Sequence, residues 1–168
     1  MSENLPEDVR IEPAENGDAG ALADLWVDLA ADQRRYGSHL VPDENRSVIR
    51  RTMVQHIVAG TAFLARRGGS VVGFVTFGLE AGEYRQDVSR GVVQNIYVRD
   101  SDRNEGIGDG LLDAAETALD SRGADIVSLE AMADNRSARR FYERHGYEPH
   151  RIELEKPINS GTQHSNAE

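Results

Sequence analysis

Apolar positions along the chain change period several times, and each change marks an element. VRIEPA (9–14) reads as a short strand. Leu22, Leu25, Trp26 and Leu29 then recur at helical spacing and predict a helix over 18–36, with Asp18 a candidate cap. After the polar loop GSHLVPDEN, residues Val48, Met53, Ile57 and Val58 predict a second helix over about 45–59. TAFLARR (61–67) and VVGFVTFGLE (71–80) are predicted strands, joined by the hairpin signal Gly68-Gly69. A polar loop (81–90) leads into the strand GVVQNIYV (91–98), a glycine-rich turn, and an amphipathic helix running through about Arg122. IVSLEAM (126–132) follows as a strand, NRSARRFYERHG (135–146) as a short helix, and YEPHRIELEKPI (147–158) as one or two final strands. The order β-α-α-β-β-β-α-β-α-β is a mixed α/β arrangement. With no repeat or linker, it predicts a single domain over 9–158, flanked by flexible termini at 1–8 and 159–168.

The turn RNEGIGDGLL (103–112) sits oddly in this pattern, because Gly106, Gly108 and Gly110 stand where a helix should begin. Glycine costs about 1 kcal/mol relative to alanine inside a helix. A phosphate-binding P-loop would end in Gly-Lys-Ser/Thr, and no lysine is present here. A dinucleotide fingerprint starting at Gly106 needs glycine at 111, where Leu111 stands. A plain strand-to-helix turn with incidental glycines is the bland reading. The sharper one follows from the free N–H groups and positive dipole end of a helix N-terminus, which bind anions that bare glycines let approach closely.

Composition narrows the chemistry. The 168 residues suffice for one core. The absence of cysteine excludes disulfides, thiolate metal sites and a cysteine nucleophile. The histidines (His39, His56, His145, His150, His164) show no ligand spacing, so no metal is expected. No apolar run approaches the roughly 20 residues of a membrane span, and MSENLPEDVR is not a secretion signal, so a cytoplasmic protein without a membrane partner is expected. A formal net charge of −10 argues against a nucleic-acid partner. Lys156 is the one lysine in the sequence. An acidic chain with almost no lysine resembles the proteins of salt-accumulating, halophilic microbes, although codon bias with ordinary solubility charge gives the same balance.

Arg103-x-x-Gly106-x-Gly108, after an apolar strand and before a helix, resembles the pyrophosphate loop of the GNAT superfamily of acetyl-CoA-dependent N-acetyltransferases. Two flanking segments resemble that family as well: VVQNIYV upstream, and Asn135-x-x-Ala138-x-x-Phe141-Tyr142-x-x-x-Gly146-Tyr147 downstream. The likeness is dense from 91 to 147 and thin before it. It implies a GNAT-like α/β (α+β) fold, with a mixed, mostly antiparallel twisted sheet of six to seven strands flanked by about four helices. It also implies acetyl-CoA as cosubstrate, a primary amine on a small molecule or protein as acceptor, and a homodimer as a common family state. Cofactor contacts are implied at Ile96, Tyr97 and Val98 of the strand, at Arg103, Asn104, Glu105, Gly106, Ile107 and Gly108 of the loop, and at Asn135 and Tyr142.

The family's reaction is direct attack of an amine on a thioester in a ternary complex. An amine with pKa near 10.4 is neutral in only about one molecule in a thousand at pH 7, so a base or water chain helps remove the proton. Tyr142 occupies the position of the family's tyrosine acid, although its helical spacing with Ala138, Phe141 and His145 also suits plain core. Asn135 equally suits a helix cap. Members often carry a glutamate base on the strand where this chain has Gln94 and Asn95, which leaves Glu80, Glu83, Glu130 or a water relay. The missing glutamate leaves room for a rival of another class, a CoA-binding sensor without catalysis. A nucleotide-binding enzyme is a third reading. The loop also departs from the family in charge, with Asp100, Asp102, Glu105 and Asp109 set against Arg99 and Arg103.

Overall fold

The computed structural model describes residues 4–159. Strand β1 (Val9–Pro13) is followed by helices α1 (Ala19–Arg34) and α2 (Arg46–Ala59), then by strands β2 (Ala62–Arg67), β3 (Ser70–Leu79) and β4 (Arg90–Val98). Helix α3 (Ile107–Ser121), strand β5 (Ile126–Leu129) and helix α4 (Arg136–Arg144) complete the order. The strands form one sheet in the order β1-β2-β3-β4-β5, antiparallel except for the parallel pair β4–β5.

Both faces of the sheet are covered, which is why β3 reads as a nearly continuous apolar run. On one face Leu22, Leu25 and Trp26 of α1 and Met53 of α2 pack against Leu64 and Phe74. On the other, Ile107, Leu111, Ala115 and Leu119 of α3 pack against Val75, Phe77 and Val93. Helix α2 ends at Gly60, whose φ of +70° lets the Thr61 N–H turn back to the His56 carbonyl at 2.9 Å. Residues 4–8, read above as a flexible terminus, carry contacts: Leu5 packs on the α3-side core and Asp8 pairs with Arg67 at 3.1 Å. The tail beyond 159 lies outside the described residues.

The expected six to seven strands are corrected to five among the described residues. The segment 147–158 alternates apolar and charged residues, but Ile152, Leu154 and Ile158 are 78%, 89% and 93% exposed, and no ladder forms. The alternation finds no face to bury. The open edge nearest in sequence belongs to β5, only four residues long.

Candidate functional site

Strand β4 supplies the frame. Along one edge it pairs with β3 over its whole length, from Leu79↔Gly91 to Gly73↔Val98. Thr76 pairs with Asn95 and Phe77 with Val93, so Gln94 is an extra residue on β4, a β-bulge. On the other edge, pairing with β5 runs only from Arg90↔Ile126 to Val93↔Leu129. Beyond that point the chains part, and one backbone edge of Asn95 to Val98 is left without a strand. Such an edge is a template for an extended ligand. Ile96 and Val98 still pack toward the α3-side core and Tyr97 toward α1, so face packing holds the segment.

The parting opens a cleft. Gln94, Asn95 and Ile96 form one wall, Leu129 and Glu130 the other, with Leu29 and Gln33 of α1 and Tyr142 of α4 completing it. Asn95 is fixed by donating from Nδ2 to Thr76 Oγ1 at 2.9 Å. Burial lifts the Tyr142 phenol to about 12. Its ring meets those of Phe141 and Tyr147 edge-on, at 5.4 and 6.0 Å between centroids.

At the far end of β4 the glycine turn begins. Asn104 and Gly106 both take left-handed φ, +62° and +86°, and α3 starts at Ile107. The N–H groups of residues 104 to 109 find no backbone acceptor among the described residues; the first helical bond is Gly110 N–H to the Gly106 carbonyl, 3.1 Å. A row of free donors at a helix N-terminus suits an anion. Ile107 is 1% exposed, so only its N–H can serve there. The bare α-carbons also serve packing. A β-carbon at Gly106 would stand 2.7 Å from the Asn4 carbonyl oxygen, and one at Gly108 would stand 3.4 Å from Phe141 Cζ.

Several charges of the turn are paired with side chains from other elements. Arg67, on β2, pairs with Asp102 and, at 2.8 Å, with Glu105. Asp102 is 7% exposed and its carboxylate belongs to this network. Arg103 donates from Nε to the Val98 carbonyl at 2.8 Å, meets Asp100 at 2.7 Å and lies over the Tyr97 ring. Asp109 accepts from His145 Nε2 at 2.6 Å, which ties the first turn of α3 to the end of α4. Asn135 caps α4, its Oδ1 accepting from the Ala138 N–H at 3.1 Å.

The predicted strand and turn residues and Tyr142 thus fall on adjoining elements, the open edge of β4, the turn and α4, whereas Asn135 is seen only as the cap of α4 and does not line the cleft. Among the three glutamates left open as bases, Glu130 lies in the cleft, while Glu80 binds Gln86 at the opposite end of β4 and Glu83 is exposed in the loop after β3. The histidines are accounted for otherwise. His39 meets Glu155 at 3.0 Å, and His56 lies 2.7 Å from Thr61 Oγ1 with its pKa held down by burial. His150 is exposed and His164 lies outside the described residues. No group of three or more potential metal ligands gathers among the described residues, and no described helix is long and apolar enough to cross a membrane. Sequence reasoning missed Arg67, Leu29 and Gln33, which reach the site from elements distant in sequence.

The acetyltransferase (GNAT) family model matches residues 41–147, and the chain belongs to that family. A mycothiol acetyltransferase of Thermobispora bispora is 33% identical over 144 residues, 85% of this chain and 48% of that protein. The chain therefore spans about half the length of this curated relative. Solved structures share the fold. A GCN5-related N-acetyltransferase from Ralstonia eutropha has 24% identity and a TM-score of 0.70 over 89% of this chain and 98% of that one. An aminoglycoside N-acetyltransferase in complex with CoA has 14% identity and a TM-score of 0.69 over 89% and 95%. A transcriptional regulator from Bacillus halodurans matches as well (20% identity, TM-score 0.70, 89% and 99%), so the fold alone does not fix the activity.

Proposed function

We propose that the chain is an acetyl-CoA-dependent N-acetyltransferase acting on a primary amine by direct attack in a ternary complex. The observation that carries this reading is the unpaired edge of Asn95 to Val98 running into the free N–H groups of 104 to 109. An extended arm ending in a pyrophosphate matches both features in sequence. The relative named a mycothiol acetyltransferase and the neighbour holding CoA support the cosubstrate.

Acetyl-CoA would supply an acetyl thioester whose carbonyl carbon is the electrophile. A backbone N–H of the open β4 edge, near Ile96 to Val98, is a fixed donor for the oxygen that gains charge. Tyr142 is the proton donor to the departing sulfur. A phenol near 12 stays protonated across the working range. Outright transfer to a thiolate with an ordinary pKa of about 8.5 is uphill by roughly 5 kcal/mol. The hydroxyl therefore donates while regaining a proton from the attacking nitrogen.

The net charge of −10 and the single lysine support a salt-rich setting. The sensor reading rests on Gln94 and Asn95 standing where a β4 glutamate is common. The experiment is thiol release from acetyl-CoA with a panel of aminosugars, polyamines and peptide amines at 0.1 M and 2 M KCl. Amine-dependent release with a mass gain of one acetyl group is expected. Tight acetyl-CoA binding with no transfer under either condition makes the protein a sensor.

A further inference from the structure

We propose that Arg67, on β2, is a positioning residue for the turn that receives the pyrophosphate. It holds the turn in the shape that presents the free N–H groups of residues 104 to 109, without touching the ligand itself. This rests on the acetyl-CoA reading of that turn. The three guanidinium nitrogens each face a different carboxylate: Nη1 binds Asp102, Nη2 binds Glu105 at 2.8 Å, and Nε stands 3.1 Å from Asp8. Two of these carboxylates belong to the turn, and the third to the segment before β1.

The two turn carboxylates bracket its bend. Between them lie Arg103, whose Nε donates to the Val98 carbonyl at 2.8 Å, and Asn104, whose φ of +62° is left-handed. Asn104 is the one non-glycine residue with such a φ among those described. A disfavoured backbone conformation of this kind persists where its surroundings hold it. Gly106, also left-handed, follows Glu105 directly. A β-carbon on Gly106 would stand 2.7 Å from the Asn4 carbonyl oxygen, so the segment that Asp8 ties to Arg67 also backs the turn. One side chain thus fixes both ends of the bend and the chain behind it.

An arginine suits this task and a lysine does not. The planar fork offers donors in fixed directions to two acceptors at once, whereas an ammonium acts as a point charge. Arg67 also offsets charge that would otherwise repel a pyrophosphate. Asp102 is 7% exposed, and a buried carboxylate stripped of its partner is costly. The neighbouring arginines are engaged elsewhere. Arg103 is anchored on β4 and pairs with the exposed Asp100, and Arg66 is taken by Glu12 and Asp18.

The test titrates acetyl-CoA into wild type, Arg67→Gln and Arg67→Lys by calorimetry, and measures kcat and KM with an amine that the wild type accepts. In Arg67→Gln, Kd and KM for acetyl-CoA should rise about tenfold, with kcat at saturation within about threefold of wild type. Arg67→Lys should regain part of the loss. S-acetylpantetheine offers the same thioester and arm without the pyrophosphate. Its kcat/KM should stay within about twofold of wild type in both variants. Where Arg67→Gln does not fold, Arg67→Gln with Asp102→Asn leaves no buried charge unpaired and carries the same comparison. An unchanged acetyl-CoA Kd in the folded variant, a wild-type Kd in Arg67→Lys, or equal losses with both donors overturns the role of Arg67 alone. A kcat that falls while Kd holds marks a merely structural ion pair and overturns it too. A wild type with no affinity for acetyl-CoA ends the cofactor reading of the turn and this role together.

Discussion

From Arg90 to Val93 strand β4 is paired on both edges, while from Asn95 to Val98 it is paired on one. Gln94, the bulged residue, separates the two halves. The inner half behaves as ordinary sheet: Val93 is 4% exposed in the α3-side core, and Gly91 lies against Leu119. The outer half keeps its face packing through Ile96, Tyr97 and Val98 but withholds one backbone edge. Unpaired backbone groups cost free energy when buried away from water, so an edge left open at a cleft is tolerated because solvent or a ligand satisfies it. The same strand thus carries stability in one half and the candidate site in the other.

The largest effect is expected from breaking the inner half. A β-carbon at Gly91 would stand 2.8 Å from Leu119 Cδ1, and Leu119 is fully buried. Gly91→Val overfills that contact and should destabilise the fold by about 3 kcal/mol, read from chemical denaturation. Acetyl-CoA affinity of the remaining folded protein should be little changed. Unaltered stability would mean that the inner half is as yielding as the outer.

Next in size is a change confined to the outer half's cleft. Tyr142→Phe keeps the ring contacts and should lower kcat about 10²-fold with little change in acetyl-CoA affinity. It should also act at alkaline pH. The folded phenol is lifted to about 12 while the unfolded one ionises near 10. The stability this contributes is fully present below pH 10 and is lost as pH rises toward 12, by about 2–3 kcal/mol. Tyr147, also lifted by burial, adds to the same loss. A denaturation series from pH 8 to 12 should therefore fall less steeply in Tyr142→Phe. Wild-type turnover in Tyr142→Phe would return Tyr142 to plain packing, and equal slopes would mean that its phenol is not buried.

What was legible in the sequence divides along the same line. The inner half, α3 and the hairpin are local: apolar periodicity, the glycine punctuation and the Asn135 cap can each be read within about ten residues. The open edge cannot, because it depends on where β5 stops, and the predicted strand 126–132 ends in fact at Leu129. The bulge was equally hidden, since Gln94 sits in an unbroken strand-like run. Arg67 lies 35 and 38 residues from its partners Asp102 and Glu105, and that separation gives no local signal. The reverse error came at 147–158, where period-two alternation was present without an edge to receive it.

The smallest effect concerns salt, and it separates the turn's charges from its backbone donors. Asp8, Asp100, Asp102, Glu105 and Asp109 face Arg67, Arg99 and Arg103, so the turn remains negative even with Arg67 included. A pyrophosphate approaching it meets repulsion from these groups and from the net −10 of the chain. The Debye length falls from about 10 Å at 0.1 M salt to about 3 Å near 1 M, which removes that repulsion, while N–H contacts act at touching distance and persist. Acetyl-CoA Kd should therefore drop about two- to fivefold between 0.1 M and 2 M KCl. Asp100 is the residue to change, because its side chain is 80% exposed and pairs with Arg103. Asp100→Asn should tighten binding at low salt and flatten the response. Asp102→Asn is a poor probe, since it strips the buried partner of Arg67 and should act on stability first. Titration calorimetry at the two salt concentrations decides the matter: a wild-type affinity that falls with salt would make basic attraction, rather than the backbone donors of 104 to 109, the main hold on the phosphates.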